Sequence, residues 1–593
     1  MVKEIIAAIM AVGMCAGAAF GVGTTERQQN TVLQNEVNNG TINTSIGNGA
    51  DQMETYLLKK IDTTAAGKGC RMWLGDIDGD GRMEIVMVQP DNGFDDRYFP
   101  HSVVCATAYN LEGEMLWQIG EVDPTVTGSG ADIPAQIYDI DNDGNNEFLC
   151  VMKDELCIFD GKTGTLKEKH AIPDEHAHDC IVIADLEGTG YPQNIILKNR
   201  YHQLWALDRN YEVMWTFKGN LGHYPWPYDL DGDGRDELIA GYTVLNGEGK
   251  TLWTIDMIDH ADCIWVGDLD QDPSTGPAIL VGGVDTTAHT WDGKLIWRFT
   301  DTVESQNIAL GDFRPDIKGT EVGGLDRIDR SGPQGKDGLF LVDSEGKSLF
   351  KEDRKVPGWS SIATTINNFD GNGSDHLLAY RRGGLPAAIY DGWMNPIFTF
   401  PFDGHIMWVD LIGDGQSQIL IYNDEKIEIY SAKEMDLSKA VVPYTRPQPK
   451  RLYNWTRYWG SEMAPDRYAV NYITQDFSTN SARPWAERIV AGNEPDAELN
   501  KGDFAVLMVN MLGLKAYEFH NFKDVLPRDY FASSTLILKK LGIAEGENFE
   551  PAKIITEDEA AAMIKKAGYD VTAESGKALT KKAAARMLLS CVK

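Results

Sequence analysis

Short apolar runs alternate with Asp- and Gly-rich turns through most of this chain. An apolar run ending in Asp or Asn and followed by a compact Asp/Gly turn recurs eight times: GDIDGDG at Asp76, YDIDNDG at Asp139, ADLEGTG at Asp185, YDLDGDG at Asp229, GDLDQDP at Asp268, GDFRPDI at Asp312, NNFDGNG at Asn368 and VDLIGDG at Asp410. Successive copies start 39 to 63 residues apart, a period that suits one four-stranded blade of a β-propeller. Within one unit the strands read as WPYDLD, ELIAGYTVL and TLWTID, with NGEGK as a Gly-turn between the last two, and DGKTG repeats that turn elsewhere. The pattern predicts an all-β, seven- or eight-bladed β-propeller: eight from the motif count, seven if one degenerate copy is not a blade. Residues 54–63 are placed to supply the strand that closes the ring.

The C-terminal pattern is different. ELNKGDFAVLMVNMLGLK, NFKDVLPRDYFASSTLILKKLGI, FEPAKIITEDEAAAMIKKAGY and ALTKKAAARMLLSCVK carry apolar residues at helical spacing, with Asn500, Thr556 and Thr580 placed as N-caps. They predict a small α-helical domain. Lys3 followed by an apolar run ending in small residues has the layout of a secretory signal peptide. The chain therefore divides into a signal peptide at 1–23, an N-terminal segment at 24–64, the propeller at 65–443, a Pro- and Trp-containing linker at 444–497 and the helical domain at 498–593.

Charge and cysteines narrow the partners. A formal net charge of −34 excludes a nucleic-acid binder driven by overall charge. After the signal segment no run is long and apolar enough to span a membrane. Seven cysteines remain, scattered and odd in number, which is no disulfide framework. The expectation is an exported protein.

Three Asp loops are strong. Asp76, Asp78, Asp80 and Glu84 stand at positions 1, 3, 5 and 9 of a loop with Gly at position 6; Asp139, Asp141, Asp143 and Glu147 repeat the spacing, as do Asp229, Asp231, Asp233 and Glu237. Calcium takes six to eight hard oxygens, and this spacing curls carboxylates around one point. Ca2+ with a structural role is the expectation, against an Asx-type turn that needs no metal. The copies at Asp185, Asp268, Asp312 and Asp410 have lost carboxylates and fit the turn.

Alternate connections of an up-and-down blade lie on opposite faces of the disc. The face opposite the Asp loops receives the segments entering each first strand: His176 and His178 in EHAHDC, His223 in GHYPW, His260 in DHADC, Gln306 in ESQN and His405 in DGHIMW. His178, His223, His260, Gln306 and His405 stand 7, 6, 8, 6 and 5 residues before the first motif Asp of their blades. Matched register predicts a ring of side chains at the mouth of the funnel. The second-to-third-strand loops add Arg97, Tyr98, His101, Arg200, Tyr201, His202, Arg327, Arg330, Arg381 and Arg382 to the same face.

One reading of this face is a transition-metal site, opposed by its arginines. The favoured reading has His and Tyr as base and acid with Arg holding an anionic substrate. Cleavage of an acidic polysaccharide by β-elimination fits it: the uronate carboxylate must be neutralised, a base must take the C5 proton, and an acid must protonate the leaving oxygen. Hydrolysis would instead ask for paired carboxylates. The competing class is a non-catalytic, calcium-stabilised glycan-binding propeller. In either class Trp226, Trp265 and Trp359 are candidates for sugar stacking.

The strings HAHDCIVIADLEGTG, ILKNRYHQLWALD, GHYPWPYDLDGDGRDE and DHADC, with GDFRPD and RLYNWTRYWG, resemble the propeller polysaccharide lyases over roughly residues 65–460. The wider group is the rhamnogalacturonan lyase-like propellers, with a closer resemblance to the L-rhamnose-α-1,4-D-glucuronate lyases. That resemblance implies exo-acting release of terminal rhamnose from glucuronate in arabinogalactan or gum arabic; an endo-acting rhamnogalacturonan or ulvan lyase is the alternative. It places His178 and His223 as base and acid, Arg200 as carboxylate neutraliser, and His101, Tyr201, His260, Arg327, Arg330 and His405 as substrate contacts. FKDV, FEP and ITEDEA resemble S-layer homology repeats, which implies attachment to a secondary cell-wall polymer; a helical domain that merely caps or dimerises is the alternative.

Overall fold

The computed structural model describes residues 53–92, 101–127, 132–272 and 275–440 apart from 330, 332–333, 359–361, 372–373 and 412–415; strands at 454–457 and 460–463; and 495–591 apart from 513, 515–520 and 526–530. The signal segment, most of the linker, and Arg97, Tyr98, Arg330 and Trp359 lie outside the described residues.

Eight four-stranded antiparallel sheets follow one another in chain order. Every Asp motif, degenerate copies included, marks a blade. First strands such as Ala135–Tyr138 and Cys263–Gly267 are buried along their whole length, whereas fourth strands such as Met115–Gly120 alternate between buried and exposed residues. That contrast places the first strands inside and the fourth strands at the rim. The eighth blade takes Tyr56–Asp62 as its outermost strand, antiparallel to Lys426–Ser431. The expected closing strand is thus present, and the ring joins the two ends of the propeller.

Tryptophans latch neighbouring blades. Outer-strand Trp117, Trp215, Trp253 and Trp297 each donate Nε1–H to a carbonyl in the third-to-fourth-strand turn of the next blade: Gly161 at 2.7 Å, Gly247 at 2.9 Å, Trp291 at 3.2 Å and Ser344 at 2.9 Å. The indole lies over that turn, where a Cβ on Gly164 or Gly249 would come within 3 Å of the ring, and both glycines have positive φ. Trp226 and Trp265 are 2% and 1% exposed and pack against each other, with centroids 5.7 Å apart. Their rings are core between blades 4 and 5, which corrects the sugar-stacking expectation.

The seven described cysteines are free thiols, six of them buried. Of the C-terminal helices α1 (Lys501–Met511), α2 (Ala532–Lys540), α3 (Glu557–Lys566) and α4 (Lys581–Leu589), the first, third and fourth start where their caps predict, whereas α2 follows Phe531 without a side-chain cap. Asn500 accepts from the Asp503 amide, Thr580 from Ala583, and Thr556 forms a capping box with Glu559. Phe504, Met508, Leu538, Ile564, Ala584 and Leu588 are buried.

Candidate active site

Blades 3, 4 and 5 bring three rings together. His223 precedes the inner strand Pro225–Tyr228, and His260 precedes Cys263–Gly267. Tyr201 stands in the tight turn in which the His202 amide donates to the Asn199 carbonyl at 2.9 Å. The Tyr201 ring centroid lies 5.4 Å from that of His223 and 4.8 Å from that of His260, and the two imidazoles are 5.1 Å apart.

Asp262 is the hub. Its Oδ1 lies 3.6 Å from His223 Nε2 and 3.4 Å from His260 Nε2. Gln306 Nε2 donates to the same oxygen at 2.7 Å, and Arg327 Nη2 donates to Gln306 Oε1 at 2.5 Å. Three successive blades, 4 to 6, therefore meet through one buried carboxylate, and Tyr201 of blade 3 reaches it through the two imidazoles. The two His–Asp distances are longer than a well-formed hydrogen bond, and both imidazoles face Asp262 directly as charge partners.

Burial and charge separate the two histidines. Burial is the main cause that pulls His223 down to about 3, so it is neutral at working pH. Burial also disfavours charge on His260, but Asp262 and Asp259 outweigh it and raise its pKa; Asp259 Oδ1 lies 2.8 Å from Nδ1. Tyr201 is raised above 10 by burial and stays a phenol. Asp262, despite its burial, is lowered by the two imidazoles and remains a carboxylate. The cluster holds a neutral base, a protonated acid and an imidazole whose charged form the neighbouring carboxylates favour, side by side.

Arg200 is placed differently from the expectation. Its guanidinium is buried, with Nη1 2.6 Å from Asp132 Oδ2 and 3.5 Å from Asp179 Oδ1. Lys198 pairs with Asp179 and donates to the Arg200 carbonyl at 2.6 Å. Arg200 thus sits inside a neutral quartet that holds the Tyr201 turn, and its guanidinium carbon lies 5.4 Å from the Tyr201 ring centroid. His178 stands apart from the triangle: Nδ1 lies 3.1 Å from the His101 carbonyl and Nε2 2.8 Å from the Glu175 carbonyl. His101 Nδ1 lies 2.7 Å from Asp91 Oδ1. His405 Nε2 accepts from Arg71 at 2.8 Å, in a pair between blades 8 and 1. The register argument placed all five ring positions at strand entries, and the structure joins His223, His260 and Gln306 while giving His178 and His405 other neighbours. Reasoning from sequence missed Asp262, Asp179, Asp132 and Lys198. The repeated Asp-Cys step, Asp179–Cys180 and Asp262–Cys263, stands at the same point of blades 3 and 5 and was the available signal.

The three strong Asp loops are closely alike, though Asp139 accepts from the Asp143 and Gly144 amides rather than from the third residue on. Asp76 accepts from the Gly79 and Gly81 amides, and Asp229 from Gly232 and Gly234; Glu84 accepts from Ile77 and Glu237 from Leu230. Asp76 with Asp78 and Glu84, Asp139 with Asp141 and Glu147, and Asp229 with Asp231 and Glu237 each bring three ligand atoms within 4.8 Å of one another. Asp80, Asp143 and Asp233 stand outside these groups, each accepting from the amide two residues on. Burial, helped by neighbouring carboxylates, raises Asp76 to about 7, Glu84 to about 10 and Glu237 to about 8. Hard oxygens crowded at that cost fit a divalent cation. His223, His260 and Asp262 form a fourth such group, of softer donors.

Residues 63–177 and 195–355 match the C-terminal domain of rhamnogalacturonan lyase family 11. The chain is 24% identical over 344 residues to the rhamnogalacturonan exolyase YesX of Bacillus subtilis, covering 46% of this chain and 55% of that protein. It is 25% identical over 258 residues to the rhamnogalacturonan endolyase YesW of the same organism, covering 33% and 41%. The chain thus spans about half the length of these curated relatives. Among solved structures, a rhamnogalacturonan lyase of Bacillus licheniformis aligns at 19% identity with a TM-score of 0.44, covering 64% of this chain and 72% of that one. The similarities lie with the wider rhamnogalacturonan lyase group named from the sequence.

Proposed function

We propose that this protein is a polysaccharide lyase that cleaves a rhamnose–uronate linkage by β-elimination. The observation that carries the reading is the triangle of Tyr201, His223 and His260 around Asp262. In this reading His223 takes the proton from C5 of the uronate, the C–H pair forms the C4–C5 double bond, the C4–O4 bond breaks, and the Tyr201 phenol protonates O4. His260, whose charged form two carboxylates favour, and Arg327 face the carboxylate of the substrate and offset the charge of the enolate-like intermediate. Arg200 takes the part of a positioning residue for Tyr201.

A second reading follows from the same atoms. His223, His260 and Asp262 have the donor set for a divalent cation, which would supply positive charge for the uronate carboxylate. Tyr201 would then carry the proton alone.

The names of the relatives favour rhamnogalacturonan over gum arabic as substrate and leave both exo and endo action open. We also read the protein as exported and calcium-stabilised, with residues 498–593 attaching it to a cell-wall polymer. The test is incubation of the full chain with rhamnogalacturonan I, gum arabic and ulvan, following the ultraviolet band of an unsaturated uronate and free rhamnose. New absorbance that is lost in His223→Gln and Tyr201→Phe supports the lyase; rhamnose release from gum arabic alone selects the glucuronate exolyase. Binding without absorbance on any of the three, unaffected by either substitution, would replace the reading with a glycan-binding propeller.

A further inference from the structure

The three strong Asp loops are alike in sequence but not in surroundings. In blade 2 the Lys167 ammonium lies 2.7 Å from Asp141 Oδ2, 2.8 Å from Glu147 Oε1 and 3.9 Å from Asp143 Oδ2. Asp141 and Glu147 are two of the three residues whose oxygens converge in that loop. We propose that Lys167 is a built-in cation of the Asp139 loop, which therefore takes no divalent metal, in contrast to the Asp76 and Asp229 loops.

The repeat itself supplies the comparison. Lys167 occupies the bulge of the outer strand, between Leu166, paired with Phe159, and Glu168, paired with Ile158. The same bulge in blade 1 falls at Leu116, between partners of Tyr109 and Ala108, and in blade 4 at Leu252, between partners of Leu245 and Val244. Neither leucine can neutralise a carboxylate. In blade 3 the bulge residue is Met214, whose Sδ lies 3.3 Å from Nδ2 of Asn194. Asn194 accepts from the Leu186 amide as Glu84 does from Ile77, so it is the counterpart of the loop glutamate. The bulge position therefore reaches the acidic loop in blades 2 and 3 alike, and blade 2 has a lysine there.

The energetics agree with the geometry. Glu147 is 1% exposed, and an uncompensated carboxylate at that depth is costly. In the Asp76 loop Arg82 is taken up by Glu112, at 2.6 Å, and by the Leu437 carbonyl, at 3.0 Å. A flexible lysine stem bringing one ammonium between Asp141 and Glu147 does the work of an ion, with three donors for the converging oxygens.

Equilibrium dialysis of the full chain against calcium, with bound metal counted per chain, tests this without reference to activity. Lys167→Leu, the residue found at this register in blades 1 and 4, is expected to bind one more calcium than the parent protein. In the otherwise unaltered chain, Asp141→Asn is expected to leave the count unchanged, whereas Asp78→Asn and Asp231→Asn each lower it by one. Loss of one calcium in Asp141→Asn, no gain in a folded Lys167→Leu, or no loss in both Asp78→Asn and Asp231→Asn would each overturn the proposal. Asp141→Asn retains Lys167 and keeps the test decisive if the lysine variant does not fold.

Discussion

Arg200 donates from Nη1 to Asp132 Oδ2 at 2.6 Å, and neither side chain is open to solvent. Removing one partner leaves the buried quartet with an unbalanced charge, a loss of about 3–5 kcal/mol in comparable buried pairs. Asp132→Asn and Arg200→Met are both expected to lower the melting temperature by several degrees, and to reduce kcat through the Tyr201 turn. Melting curves and steady-state kinetics on both variants check this. An Arg200→Met protein with unchanged melting and a selectively raised KM would return Arg200 to direct substrate contact.

Tyr201 and His223 are expected to matter for turnover far more than for folding. Tyr201→Phe and His223→Gln should each lower kcat by about 10²–10⁴-fold, the usual contribution of a general acid or base. Circular dichroism and a melting temperature within a few degrees of the parent would show the fold kept. His178→Gln, by contrast, should be read out mainly in stability, because both of its ring nitrogens face backbone carbonyls.

The acid limb of stability carries the signature of His223. Its pKa is about 3 in the folded protein against 6.5 for an ordinary histidine. As pH falls through 6.5 the unfolded chain takes up a proton that the folded site refuses, so this group destabilises the fold progressively from about pH 6.5 down to 3. In the presence of a chelator, His223→Gln should therefore flatten the fall in melting temperature across that window relative to the parent. An identical slope in both proteins would mean that His223 is solvated or already charged in the native state.

Metal removal should have the opposite pH dependence. Glu84 and Glu237 are raised to about 10 and about 8 in the absence of an ion. As pH rises above the ordinary carboxylate range, the unfolded chain ionises while these folded groups resist, so the chelated protein should lose melting temperature between about pH 5 and 8. Calcium should restore it, most at the alkaline end. Equal melting with calcium and with chelator across this range would identify the loops as Asx-type turns.

Ring closure gives a fifth expectation. Ile61, 2% exposed, lies on the N-terminal strand of blade 8 opposite Ile427. Ile61→Asp buries a charge at the seam, and proteolysis should release the 56–62 strand before any other blade is cut. A cleavage pattern identical to that of the parent would show that the seam does not depend on this strand.

A propeller of seven or eight blades, the position of every Asp loop, the closing strand and the caps of α1, α3 and α4 were legible in the sequence, because each is set within one repeat or one helical turn; the structure fixed the count at eight. Alternation of buried and exposed residues needs only neighbours along the chain. The same local logic placed His223, His260 and Gln306 at strand entries, one per blade. It could not say which ring positions meet, because Asp262 joins residues from different blades only after the ring has closed. Nor could it show that Arg200 faces Asp132, 68 positions away, rather than solvent. The Asp139 loop makes the division plainest: Asp139, Asp141 and Glu147 were readable as ligands from spacing alone, and only the outer-strand bulge, a feature of sheet register, brought Lys167 to them.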